Sequence, residues 1–220
     1  MKEHSMFIKH RRVKQLLMAI VFIFVLLGGW FYPLLGYFIP ACMLIGIGIA
    51  LSKGRKWCDW YCPRGSFWDI MIEPFSRKKE IPGFIKSLPI RIGVVVLLMT
   101  LMSIQIIRRW PDPYSIGAFF VTMLTVTTAL GVIAALLFHQ RIWCYVCPIG
   151  SMSNWVGKDK HMLQINSEQC VECKLCAKIC PMQIKPYTYK KEGTQVVKDY
   201  DCLKCGSCVA LCPKHSLSLK

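Results

Sequence analysis

Four long apolar runs alternate with strongly polar segments along the chain: Leu16–Trp30, Leu34–Leu51, Ile90–Ile107 and Ile116–Phe138. Each approaches the roughly 20 residues that cross a bilayer as a helix, so the pattern predicts four transmembrane helices. Short connections group them into two hairpins, over residues 13–51 and 90–139. Gly28-Gly29-Trp30-Phe31-Tyr32-Pro33 closes the first, and Arg108-Arg109-Trp110-Pro111-Asp112-Pro113-Tyr114 closes the second. Their aromatic rings suit a membrane–water interface. Beyond Gln140 the pattern turns polar. There His161–Asn166 and His215–Leu219 alternate as paired short strands, and Pro186–Lys190 and Gln195–Lys198 flank a hairpin turn at Lys191-Glu192-Gly193-Thr194. The expected fold is a membrane α-helical part over 1–157 followed by a small α+β unit over 158–220.

Composition sharpens this division. The chain is 54% hydrophobic yet 18% charged, with mean hydropathy +0.41, which requires segregation of apolar from charged residues. A formal charge of +16 raises the question of nucleic acid, but the distribution answers it differently. Of the 28 Lys and Arg, only Arg108 and Arg109 fall on one side of the expected spans. The positive-inside rule therefore places both termini, the loop 52–89 and the C-terminal unit on the cytoplasmic face of the cell's inner membrane. Anionic headgroups are the expected counterpart of the charge, and no nucleic-acid motif accompanies it. The basic start lacks the small-residue cleavage site of a signal peptide. Arg91 is expected to snorkel to the cytoplasmic interface.

Thirteen cysteines carry the chemistry. Cys170, Cys173, Cys176 and Cys180-Pro181 form one C-x2-C-x2-C-x3-C-P run; Cys202, Cys205, Cys208 and Cys212-Pro213 repeat it. This is the spacing of two-cluster bacterial ferredoxins, in which the fourth Cys of each run ligates the other cluster. The resemblance implies one [4Fe–4S] cluster on Cys170, Cys173, Cys176 and Cys212, and another on Cys202, Cys205, Cys208 and Cys180. Zinc sites space their cysteines differently, and a disulfide scaffold does not suit a cytoplasmic domain. Nearby Lys174, Lys178, Lys204 and Lys214 would favour an acidic electron partner, with ordinary solvated surface as the alternative.

A second repeat follows each hairpin: Arg55-Lys56-Trp57-Cys58-Asp59-Trp60-Tyr61-Cys62-Pro63-Arg64-Gly65-Ser66, and Arg141-Ile142-Trp143-Cys144-Tyr145-Val146-Cys147-Pro148-Ile149-Gly150-Ser151. A parallel duplication of hairpins brings Cys58, Cys62, Cys144 and Cys147 together. Three uses fit them: a third [4Fe–4S] cluster or another metal, redox-active thiol pairs, or packing turns. Ser66 is expected to cap a short helix that includes Asp69. Cys42, Met43, Met99, Met102 and Met123 read as packing residues. His139 is too solitary for a haem held by paired histidines. Trp110, Asp112 and Tyr114 read as a connector, with a quinol contact as the alternative.

Taken together, the spans, the duplicated W-C-x2-3-C-P-x-G element and the C-terminal cysteine runs resemble the membrane polyferredoxins. That family includes the quinol-dehydrogenase membrane subunits of periplasmic nitrate reductases and the membrane part of a nitrous-oxide reductase maturation protein. The resemblance implies an electron-transfer subunit of a quinol-linked oxidoreductase system, with quinone or quinol and a redox protein as partners. The alternative is a maturation or sensor protein whose clusters feed electrons to metal or thiol chemistry at the membrane cysteines. The second motif, C-x2-C-P, departs from the family's C-x3-C-P, and neither a flavin domain nor a periplasmic domain is expected.

Overall fold

The computed structural model describes residues 2–220. The first helix, α1 (Lys2–Gly28), is followed by a 3-10 turn at Pro33–Tyr37 and by α2 (Phe38–Lys53). Pro40 falls in the first turn of α2, where a missing N–H breaks no helical bond. Three short elements come next: α3 (Trp57–Trp60), α4 (Pro63–Phe67) and a π turn over Trp68–Ile72. Helix α5 (Gly83–Lys86) precedes two long helices, α6 (Leu88–Arg109) and α7 (Pro113–Leu137). Then α8 (Trp143–Val146) and α9 (Pro148–Val156) repeat the arrangement of α3 and α4.

Among the described residues, three helical segments are long and apolar enough to cross a membrane: Pro33–Phe75, Leu88–Arg109 and Pro113–Leu137. Helix α1 is longer than any of its neighbours, but Lys9, Arg11, Arg12 and Lys14 confine its uncharged stretch to Gln15–Gly28. Large apolar side chains point outward from all four long helices, among them Phe24, Leu44, Leu97 and Leu130. So much exposed apolar surface is matched by lipid, not by water, and the protein associates with a membrane. The inward faces keep helical spacing: Gln15, Ala19, Phe22 and Val25 on α1, and Phe120, Leu124, Thr128, Gly131 and Ala135 on α7. Tyr37 ties the turn after α1 to the start of α7, its hydroxyl donating to the Pro113 carbonyl at 3.3 Å.

The C-terminal part holds β1 (Leu163–Asn166), α10 (Leu175–Lys178), β2 (Thr194–Val196), α11 (Ser207–Leu211) and β3 (Leu217–Leu219). The strands form an antiparallel sheet ordered β2-β1-β3, with Ile165 opposite both Gln195 and Leu217. Leu163 and Ile165 alternate inward, as the pattern predicts. The hairpin expected around Lys191–Thr194 does not form. Pro186–Tyr189 is a 3-10 turn instead, and β2 pairs with β1. Pro186 has no N–H to give a ladder, and the Thr188 hydroxyl closes the turn on the Lys185 carbonyl at 2.8 Å. One apolar core runs from Trp57, Trp68 and Tyr145 on the membrane side to Leu163, Met182, Val197 and Leu203 beneath the sheet.

Candidate functional site

Two small cavities lie in the C-terminal part. Cys170, Cys173, Cys176 and Cys212 line the first; Cys180, Cys202, Cys205 and Cys208 line the second. Each cavity thus draws three cysteines from one run and the last from the other, because α10 and α11 pack side by side and carry their chain ends across. The backbone repeats as faithfully as the spacing. Glu172 and Lys204, Lys174 and Gly206, and Gln183 and His215 occupy equivalent places in the two runs, and all have positive φ, between 50° and 79°. Such left-handed residues curl the chain into anion-binding nests of N–H groups. Only Gly206 among them is a glycine, so the composition of the runs did not announce the geometry.

The thiols feel that environment. Burial pushes the Cys180 thiol up to about 12, although the amides of Ile184 and Met182 pull the other way. Burial alone would raise Cys212 too, but the Ser216 hydroxyl and the amides of Ser216, Lys214 and Leu217 outweigh it and hold that thiol below its ordinary value. The Ser216 hydroxyl lies 3.2 Å from the Cys212 sulfur. Among the described residues no cluster of Cys, His or acidic groups is tight enough for a single metal ion. A cage lined by four cysteines, three from one run and one from the other, suits a cluster whose corners take one thiolate each. The first cage is the outer one, with Cys173 exposed; in the second, Cys205 is buried. Lys174, Lys178 and Lys214 are exposed, whereas Lys204 is buried, its ammonium 3.5 Å from the Met162 sulfur.

The other four cysteines meet on the membrane side of this core. Cys58 and Cys144 sit in α3 and α8, while Cys62 and Cys147 are the capping residues of α4 and α9, each followed by Pro at the first helical position. The unequal spacers are absorbed locally. Cys62 N donates to Trp57 O and Cys147 N to Trp143 O, both at 2.9 Å, and the extra Tyr61 lies at the exposed edge. The glycine of each C-P-x-G element is required by close approach: a Cβ on Gly65 would lie 2.6 Å from the Cys58 carbonyl oxygen, and one on Gly150 2.9 Å from that of Cys144.

The arginines of the two copies are exchanged. Arg141 Nη1 donates to the Cys58 carbonyl at 2.9 Å, and Arg55 Nη2 donates to the Cys144 carbonyl at 2.9 Å. Arg141 Nη1 also lies 3.7 Å from the Cys144 sulfur, so one guanidinium touches both copies. Buried carboxylates balance these cations. Asp69 accepts from Arg141 at 2.7 and 2.5 Å, and Asp59 from Arg11 at 2.8 and 2.6 Å. Asp201, next to Cys202, accepts from Arg55 at 2.7 Å, from Asn154 at 2.9 Å and from both ends of the Arg91 fork. Arg91 is therefore buried against a carboxylate and does not snorkel. Ser66 is not a cap, since Cys62 holds that place with its sulfur 3.4 Å from Gly65 N, and Asp69 is taken by arginine.

The sequence pattern marked Asp69 only as part of an expected helix cap, and gave Asp59 and Asp201 no role. Beyond that, their signal was only that they are among a dozen acidic residues in a strongly basic chain. Tyr145 was likewise just a spacer residue; its hydroxyl donates to the Met182 carbonyl at 2.6 Å, two residues beyond Cys180. Cys42 packs in the core. Asp112 caps α7 by accepting from Tyr114 N at 3.0 Å, and Trp110 and Tyr114 are exposed. His139 is buried, its ring accepting from Arg141 N at 3.2 Å; burial lowers its pKa to about 4.

Comparison with known proteins gives these cages a chemistry. A family described as a 4Fe-4S binding domain matches residues 35–82 and again 119–164, so each match encloses one membrane-side C-P motif. A family described as a 4Fe-4S dicluster domain matches residues 162–213. An uncharacterized protein of Methanocaldococcus jannaschii is 25% identical over 163 residues, 72% of this chain and 64% of that protein. The putative electron transport protein YccM of Escherichia coli is 31% identical over 63% of this chain and 44% of its own. The ferredoxin-type protein NapH of Haemophilus influenzae is 28% identical over 74% of this chain and 62% of its own. The chain thus covers less than two thirds of the length of each of these relatives. No solved structure matches it. The chain carries two [4Fe–4S] clusters.

Proposed function

We propose, from the premise that this chain belongs to the membrane polyferredoxins, that it passes electrons between the quinone pool and a redox protein. Four helices cross the cell's inner membrane as two hairpins, over 13–51 and 90–139, with 1–157 as the membrane part. Both termini and the ferredoxin unit, 158–220, face the cytoplasm, a reading supported by the placement of nearly all Lys and Arg on one side. Cys170, Cys173, Cys176 and Cys212 hold one cluster, and Cys202, Cys205, Cys208 and Cys180 the other. Cys58, Cys62, Cys144 and Cys147 hold a third.

A bound [4Fe–4S] cluster takes or gives one electron, so the two electrons of a quinol, which leaves as quinone with two protons released to water, match a pair of clusters. The protein's own part is to exclude water and balance charge. Trp57 and Trp68 are buried in the same core as Cys58 and Cys144, and Arg55 and Arg141 offset the negative charge of the thiols. Burial of Cys58 and Cys144 favours a cluster there over exchange with a partner's thiol, which needs access.

The observation that carries the reading is a short bridge between the two regions. Tyr145, between Cys144 and Cys147, reaches the Met182 carbonyl at 2.6 Å, and Arg55 joins the Cys144 carbonyl to Asp201 beside Cys202. The inner ferredoxin cage is thus in hydrogen-bonded contact with the membrane-side cysteines. The outer cage, with exposed Cys173, faces a soluble partner. Anaerobic membranes reduced with a quinol analogue are expected to show [4Fe–4S] EPR signals. Clusters that respond to dithionite but to no quinol would overturn the proposal.

A further inference from the structure

A groove between α2, α6 and α7 is left unexplained by the four thiols. Met43, Met99, Met102 and Met123 line it, and on the side of the thiol site it meets Arg64, Trp143 and Cys147. Its walls are apolar and adaptable, since a thioether chain adjusts to a flat guest. Yet Arg64 makes no ion pair among the described residues, and its Nε and Nη2 are buried without a hydrogen-bond partner. Trp143 Nε1 is buried and unpartnered too. The guanidinium is stacked on the Trp143 ring, 4.6 Å from its centroid, and lies 5.6 Å from that of Trp68. The Arg64 charge faces the thiols of Cys147, Cys62 and Cys144, but its unpartnered N–H groups and that of Trp143 still call for an acceptor.

The chemistry narrows the guest. A lipid chain would satisfy the methionines and leave the N–H groups unpaired. Water would pair with the donors but gains nothing from the walls. A small anion would suit Arg64 but is poorly soluble in the lipid that surrounds the groove. A neutral, flat, lipid-soluble molecule with carbonyl acceptors meets all of these demands. We propose that this groove binds the head of a quinone, with the Arg64 and Trp143 N–H groups donating to carbonyl oxygen and the methionines packing on the ring. The inference rests on the quinone reading above and adds the place: the guest lies against Cys147, one of the four membrane-side thiols.

The test uses the full chain with its clusters, purified anaerobically in lipid nanodiscs. An azido-ubiquinone is expected to photolabel peptides containing Met99 and Met102 of α6 or Met123 of α7. Arg64→Leu, and separately Met102→Trp to fill the groove, are expected to slow cluster reduction by decylubiquinol by about tenfold or more, with iron content and dithionite reduction unchanged. Met102→Trp, on the wall away from the thiols, decides the matter if Arg64→Leu loses iron. Labelling elsewhere, with Met102→Trp reduced at the wild-type rate, overturns the site and leaves the quinol function standing. Wild-type clusters that decylubiquinol never reduces, while dithionite does, overturn the quinone reading and the site with it.

Discussion

In the C-terminal cages the cysteines are held by backbone amides, whereas at the membrane side guanidinium groups also join the two cysteine copies. The first arrangement is local. Residues with positive φ at Glu172, Lys174, Lys204 and Gly206 curl each run around its own thiols, and the amide donors come from within a few residues. The second is assembled. Arg55 serves Cys144 and Arg141 serves Cys58, so neither copy is complete until the other has docked. Amides bring donors without net charge and need no counter-ion. Arginines bring full charge into a buried place, where it must be paired, and Asp59, Asp69 and Asp201 are the result. The peptide-built cages can be carried by a short stretch of chain; the arginine-built site requires the whole membrane part.

Several measurements bear on that contrast. The largest effect is expected from Cys144→Ser. Iron should fall from about twelve to about eight per chain, with the EPR signals of the C-terminal clusters unchanged. Loss of all iron would show that the two regions do not hold their clusters independently. Next is Asp201→Asn, which leaves Arg55 and Arg91 buried with their carboxylate gone. A cost of about 3–5 kcal/mol is expected, read as a lower unfolding temperature and faster proteolysis between α9 and β1. An unchanged melting curve would mean that Asp201 does not fasten the two regions.

Acid should loosen the membrane side through His139. Its folded pKa, about 4, lies below the ordinary value of 6.5, so the unfolded chain binds the proton more readily. Its contribution is therefore complete above about pH 6.5 and declines as the pH falls towards 4. Between pH 7 and pH 5 this amounts to about 2 kcal/mol. His139→Gln should lose less stability than the wild type over that interval in a thermal-shift measurement. Equal losses would assign the acid sensitivity elsewhere. The smallest effect is expected from Tyr145→Phe, which removes one buried hydrogen bond worth about 1 kcal/mol. Iron content should hold while reduction of the C-terminal clusters by quinol slows a few-fold. An unchanged rate would remove Tyr145 from the bridge.

The C-terminal cysteine cages were legible from spacing, because a ligand run that folds around its own cluster writes its geometry into neighbouring residues. The meeting of Cys58 and Cys62 with Cys144 and Cys147 was legible from the duplication. The repeat also displayed Arg55 and Arg141, but not that they are exchanged, since a motif does not say which copy its side chain will touch. Arg91 and Ser66 misled for a related reason. An arginine near a helix end snorkels unless a carboxylate from a distant segment arrives first, and Asp201 is 110 residues away. A serine before an acidic residue caps a helix unless the preceding cysteine already does.

From the order of residues alone follow the apolar helices, the clustering of charge between them, the two ferredoxin runs and the W-C…C-P-x-G repeat. All of these are periodic or local and depend on neighbours along the chain. Folding added the crossed arginines, the buried aspartates, the Tyr145 bridge and the methionine-lined groove beside Arg64. Each of those is a contact between segments far apart in the chain. Buried charge and unpaired donors acquire their meaning only from what packs against them, which is why they had no signature until the segments were brought together.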